Sequence, residues 1–290
     1  MLWQTSRYAI DLARPQVMGI VNVTPDSFSD GGRYASTRLA VEQCEKLLLA
    51  GADILDLGGE SSRPGTPPVS LDEERARVLP VLREAVQLGV PVSVDTYKPE
   101  LMREALDAGA DIINDIWALR QPGARDVVAA HGRCGVCLMH MHGEPESMQR
   151  SPMEGDAPPQ VRDFLRQATA TLLAMGMDRA RICWDYGIGF GKTVEQNFAL
   201  LARQSELLAD GYPLLAGWSR KSSLGAVTGQ PVNDRLAASV AAALLAVDRG
   251  ARIVRVHDVR ETVAALKVWS ATAAAARQTP SPDSQQGSTA

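Results

Sequence analysis

The chain has 290 residues, 45% hydrophobic and 22% charged, a composition that buries a sizeable core and excludes a disordered or fibrous protein. Thirty basic residues against 34 acidic ones give a formal net charge of -4, which offers no basic surface for a nucleic-acid backbone. No run reaches the roughly 20 apolar residues that span a bilayer, the N-terminus lacks a signal-peptide pattern, and four cysteines are too few for a disulfide framework; the expectation is a cytoplasmic protein with no membrane partner and reduced thiols.

Short β-rich apolar runs alternate with stretches of helical period. The first strand is predicted over residues 17–23 with a helix over 37–50, the second over 53–58 with 71–88, the third over 91–95 with 98–108, and the fourth over 111–116. The fifth strand, 135–141, precedes a helix over 161–175; the sixth, 181–185, precedes 194–209; the seventh, 213–218, precedes 233–249; and the eighth, 252–257, precedes 259–275. Eight such units predict an α/β fold, a single (β/α)8 TIM barrel over residues 1–277. Helix-to-strand joints are short and glycine-marked, at Gly51, Gly109 and Gly250. The loops after the first and second strands, about residues 24–36 and 60–70, are long and expected to be flexible, and residues 278–290 form a low-complexity tail expected to be disordered.

On a barrel the last residues of the strands converge on one mouth. Here they are polar: Asn22, Asp56, Asp95, Asn114 and Asp115, His140 and His142, Asp185, Ser219 and Lys221, and Arg255 and His257. Period-two alternation puts Arg255 and His257 on one face, two cationic groups suited to a phosphate, with Arg63 as a third; the bland alternative is a salt-bridged rim. Around Ser219, Arg220 and Lys221 a strand ends and a helix begins, which favours an anion. The run from Asp185 to Thr193 fails the P-loop register at Tyr186 and reads instead as a closely approached glycine loop, with Phe190 available to lie against a ring. Cys134, Cys137, His140 and His142 lie close in sequence, but alternation turns Cys137 away from the two histidines, so a packed strand is favoured over zinc.

Several ordered motifs resemble one family. They are the loop from Asn22 to Gly32, Gly-Gly-Glu-Ser-Ser-Arg-Pro-Gly from Gly58, Ser-Val-Asp-Thr from Ser93, Ile-Asn-Asp-Ile from Ile113, Met-His-Met from Met139, Gly-Phe-Gly-Lys from Gly189, Ser-Arg-Lys-Ser from Ser219 and Arg-Val-His-Asp-Val from Arg255. Together they resemble the dihydropteroate synthases over nearly the whole barrel. That resemblance implies a homodimeric transferase of folate biosynthesis. It would join p-aminobenzoate to 6-hydroxymethyl-7,8-dihydropterin pyrophosphate with Mg2+, by a dissociative substitution that releases pyrophosphate.

The resemblance implies that Asp95, Asn114, Asp185 and Lys221, with Asp56, hold the pterin, and that Arg63, Arg255 and His257 take the pyrophosphate. Ser62, Ser219 and Phe190 would border p-aminobenzoate, and Asn22 would place Mg2+. Asp95, Lys221, Arg255 and His257 form the implied catalytic set. The chain departs from the family pattern at Ser62, Tyr186, Ile188 and Trp218; Tyr186 and Ile188, standing where the family usually has Pro and Phe, predict a less rigid loop before Phe190. Three other readings stand beside this one: a methyltetrahydrofolate-to-corrinoid methyltransferase, which leaves the phosphate cations unexplained, a silent pterin binder, and a zinc hydrolase using His140 and His142.

Overall fold

Alternation along the strands sorts the apolar side chains into an outer and an inner core. In the computed structural model, which describes residues 1–24, 32–61, 67–145 and 147–277, the strands β3 (Gln16–Asn22), β4 (Ile54–Gly58), β5 (Val92–Asp95), β6 (Ile112–Asp115), β7 (Gly135–Met139), β8 (Ile182–Asp185), β9 (Leu214–Ala216) and β10 (Ile253–Val256) are all parallel. They close into an eight-stranded barrel in which β10 pairs with both β9 and β3. This is the expected (β/α)8 architecture.

The helices are α1 (Gly32–Leu49), α2 (Leu71–Ala85), α3 (Pro99–Asp107), α4 (Ala124–His131), α5 (Ala157–Ala174), α6 (Val194–Ala202), α7 (Ser205–Leu208), α8 (Ser222–Thr228), α9 (Leu236–Asp248) and α10 (Val259–Arg277). Val17, Val21, Leu55, Leu57, Val92, Val94 and Val254 face outward and join the helices in the larger core. Met18, Ile54, Ile112, Cys137, Cys183, Leu215 and Ile253 face inward and fill the floor of the lumen. No described helix is long and apolar enough to cross a membrane.

Three features depart from the sequence reading. The predicted helix over 194–209 breaks into α6 and α7. The short α4, bounded by Gly123 and Gly132 with positive φ, has too few turns for its period to stand out. Ahead of the barrel lies an antiparallel hairpin of β1 (Leu2–Gln4) and β2 (Ala9–Asp11). Its Trp3, Ile10 and Leu12 pack onto the floor residues, and the Trp3 indole N-H donates to the Arg181 carbonyl at 3.0 Å. Arg7 in the hairpin turn pairs with buried Asp111 at 2.6 Å, so the hairpin plugs the N-terminal end of the barrel. The expected tail at 278–290 lies outside the described residues, as do residues 25–31 and 62–66 of the two long loops.

Candidate active site

Above the apolar floor, the inward positions of the strands turn from apolar to polar. Asp56, two residues after Ile54, and Asp95 at the end of β5 both bind Arg255, two residues after Ile253: Nε donates to Asp56 at 2.6 Å and a terminal N-H to Asp95 at 2.7 Å. Asn114, two residues after Ile112, directs its amide N-H at Asp56 from 3.4 Å. Asp185, two residues after Cys183, accepts from the Gly187 N-H at 2.7 Å. Three carboxylates, an amide and a guanidinium thus share one layer of the lumen.

Electrostatics in this layer follow from enclosure. Burial pushes the Asp95 carboxyl well above the usual carboxylate range, and Asp56 adds to the push while Arg255 opposes it. Burial also raises Asp185, against the Gly187 N-H bond and the charge of Lys221. Burial works against the Arg255 charge, yet Asp56 and Asp95 outweigh it and hold the guanidinium protonated. Burial pulls the Lys221 ammonium down to about 8, with repulsion from Arg255 adding to the shift.

Nearer the mouth, Ser219 Oγ lies 2.9 Å from His257 Nδ1 and accepts from the His257 backbone N-H at 3.1 Å. Lys221 Nζ sits 4.2 Å from the centre of the Phe190 ring, a cation-π contact. Phe190 in turn packs in an apolar cluster with Ile116, Met139, Met141 and Met148. A cleft of about 280 Å³ opens beside Asp95, with Tyr97 and Trp117 in its wall, their rings stacked at 5.7 Å.

The glycine loop between β8 and α6 is closely approached, as its composition predicts. At Gly187 and Gly191, where φ is +66°, an added Cβ would fall 1.9 Å from the His140 carbonyl oxygen and 2.3 Å from that of His142. The departures from the family pattern at Tyr186, Ile188 and Trp218 do not enter the lumen. Tyr186 and Trp218 are buried in the outer core, where the Trp218 indole donates to the Tyr186 hydroxyl at 3.1 Å and that hydroxyl lies 3.2 Å from Gln204 Oε1. Ile188 is buried in the same core. The two large side chains complement one another behind β8 and β9, and the loop before Phe190 is tied down on that side.

Other expectations need correction. Arg255, read as a phosphate clamp with a salt-bridged rim as the alternative, is ion-paired here, its guanidinium spanning Asp56 and Asp95. The cap of α8 is Lys221 rather than Ser219, and Arg220, held at φ 60°, turns to Asp258 at 2.5 Å. Asp115 points outward and accepts from the Trp117 and Leu119 N-H groups, each at 2.7 Å, so it shapes a turn. His140 also faces the helix layer, edge-on to Phe164 with centroids 4.9 Å apart, while the inner positions beside it carry Met139 and Met141. Ser62 and Arg63 lie outside the described residues.

The motif of the pterin binding enzymes matches residues 18–257, nearly the span of the barrel. The chain belongs to the pterin-binding enzymes. Within that family it belongs to the dihydropteroate synthases, which are transferases. It is 49% identical to the dihydropteroate synthase of Neisseria meningitidis serogroup B over 276 residues, covering 93% of this chain and 97% of that one. It is 46% identical to that of Escherichia coli K12 over 268 residues, covering 92% and 95%. Among solved structures, the Burkholderia cenocepacia dihydropteroate synthase complexed with 7,8-dihydropteroate superposes with a TM-score of 0.87 at 52% identity, over 96% of this chain and 98% of that one.

Asn22 is the residue expected to hold Mg2+. Asn22 ends β3 on the inward face shared with Met18, and it offers one neutral hard oxygen. No cluster of three or more His, Cys, Asp or Glu side chains suited to a metal occurs among the described residues. A single oxygen donor fits Mg2+, which keeps most of its shell for phosphate oxygens and water.

Sequence reasoning passed over Lys192. This buried side chain donates from Nζ to the carbonyls of Gly187 at 2.8 Å, Phe190 at 3.1 Å and His140 at 3.2 Å. Burial pulls its ammonium down to about 7, with Asp185 opposing. The available signal was a lysine closing a run of three glycines, which drew attention as a failed P-loop and as one of the family motifs but was given no role of its own.

Proposed function

We propose that this chain joins p-aminobenzoate to 6-hydroxymethyl-7,8-dihydropterin pyrophosphate, forming 7,8-dihydropteroate and pyrophosphate in folate biosynthesis. The observation that carries this reading is the lumen layer of Asp56, Asp95, Asn114, Asp185 and Arg255. A pterin presents a row of N-H donors along one edge and acceptors along the other, and such a layer meets both. Asp95, Asn114, Asp185, Lys221 and Asp56 take the heterocycle. Ser62, Ser219 and Phe190 border the p-aminobenzoate, and Arg63, Arg255 and His257 face the diphosphate, Arg255 contributing its charge from the wall.

The chemistry asks for charge neutralisation at the leaving group more than for a strong base. The methylene C-O bond of the pterin breaks with its electron pair leaving on pyrophosphate, and the electron-rich ring supports the resulting cation. The aniline lone pair then forms the C-N bond, and the amine proton departs to pyrophosphate or water. Mg2+, held by the Asn22 amide oxygen, would neutralise diphosphate charge when bound. Removal of Mg2+ by a chelator is therefore expected to suppress turnover, and full activity without it would take Asn22 out of a metal role.

Incubating the protein with both substrates and Mg2+, while following dihydropteroate and pyrophosphate together, tests the reaction. Product dependent on both substrates is expected; pterin binding without pyrophosphate release would mean a silent binder. Positional isotope exchange in the pterin pyrophosphate without p-aminobenzoate tests the dissociative order, since its absence would favour direct displacement. We further propose a cytoplasmic homodimer, for which sedimentation should give twice the 31.1 kDa chain mass.

A further inference from the structure

The loop that carries Phe190 has no regular secondary structure, and its carbonyls need partners. Three of the carbonyls at this corner, those of His140, Gly187 and Phe190, converge on one buried ammonium, that of Lys192, which makes no ion pair with a carboxylate among the described residues. A buried cation solvated only by backbone oxygens is costly unless its geometry is fixed. It therefore fixes the geometry of whatever supplies those oxygens.

Two further bonds act on the same loop: Asn197 Oδ1 accepts from the Gly189 N-H at 2.9 Å, and the exposed Gln149 donates from Nε2 to the Gly189 carbonyl. The loop is thus bonded by three side chains, Lys192, Asn197 and Gln149. Its Phe190 ring then meets Lys221 at 4.2 Å.

We propose that Lys192 is a positioning residue for the p-aminobenzoate side of the site, acting through the Phe190 ring it holds beneath Lys221. It touches neither substrate; it sets the height of the surface on which the second substrate lies. This rests on the reading that Phe190 borders p-aminobenzoate. A side chain needed only for folding would weaken both substrates together, whereas a positioning residue of this kind weakens one.

The test is Lys192→Met, which keeps the length and removes the donors, assayed for the KM of p-aminobenzoate and separately for dihydropterin pyrophosphate binding by titration calorimetry. The expected result is a rise of about tenfold or more in that KM with pterin affinity within twofold of the parent. A double-mutant cycle with Phe190→Leu should be strongly non-additive, because Lys192 has nothing left to position once the ring is gone. Equal loss of both substrates, or additive effects in the cycle, would overturn the proposal.

Should Lys192→Met fail to fold, Lys192→Arg decides, since it keeps a buried cation while changing the reach and geometry of the donors to the three carbonyls. A several-fold rise in the p-aminobenzoate KM at unchanged pterin affinity supports the proposal, and equal loss of both substrates or an unchanged KM overturns it. If the parent protein itself makes no dihydropteroate, the proposed reaction has failed, independently of either variant.

Discussion

Arg255 and Lys221 show how one lumen assigns different work to two cations. Arg255 is bonded to Asp56 and Asp95, so its charge is matched before any ligand arrives. Lys221 has an aromatic face and the more distant charges of Asp185 and Asp95, and burial with repulsion from Arg255 brings its ammonium down to about 8. The charged form is present below that value and lost above it. On the proposed function, kcat/KM should therefore fall as pH rises through about 8, and Lys221→Arg, which stays charged, should lack that limb in a pH-rate profile. Lys221→Ala should lower kcat/KM for both substrates by about a hundredfold or more, as the loss of a charged partner implies; a near-normal value in steady-state assays would remove Lys221 from the site. Arg255 was legible from alternation, because a strand fixes which face a side chain takes, and Lys221 from the junction where a strand ends and a helix begins. What alternation does not give is the partner: a phosphate clamp and a salt-bridged residue could not be told apart at Arg255, because its carboxylates, Asp56 and Asp95, come from strands far away in sequence.

The segment joining β8 to α6 is held on two sides. Inside, the Lys192 ammonium gathers carbonyls; outside, Tyr186 joins Trp218 and Gln204 in a buried chain, and the Gln204 amide continues it to the Ala246 carbonyl at 2.9 Å. Tyr186→Phe keeps the ring and leaves the Trp218 indole N-H and Gln204 Oε1 short of a partner. That should cost about 1–3 kcal/mol, read from the denaturant midpoint, with little change in turnover because the pair lies outside the lumen. The sequence reading treated Tyr186 and Trp218 as separate departures from a family pattern. Each is 32 residues from the other, and nothing in either local context announces that they meet. Helix periods suffered similarly at α4 and α7, whose 8 and 4 residues carry too few turns for a stripe to emerge.

The barrel as a whole is closed at one end and chemically active at the other. Its strand count and order were readable because eight apolar runs alternate with helical stretches and three of the joints, at Gly51, Gly109 and Gly250, repeat one glycine-marked pattern, whereas the hairpin at residues 2–11 is built from two three-residue strands with no repeat to betray them. Trp3→Ala would open a cavity beneath Ile54, Ile112 and Ile253 and strand the Arg181 carbonyl. The expected loss is about 3–5 kcal/mol in equilibrium unfolding, with kcat of the folded fraction near that of the parent, since the site stands at the opposite end. The distribution of indoles has an optical consequence. Trp3, Trp184 and Trp218 are sealed in the cores, and Trp269 belongs to α10 on the outside. Trp117 alone borders the cleft beside Asp95, stacked on Tyr97 with the Arg120 guanidinium 5.3 Å from its ring. A molecule settling beside Asp95 thus perturbs one emitter of five, and the protein carries its own fluorescent gauge of occupancy at the mouth.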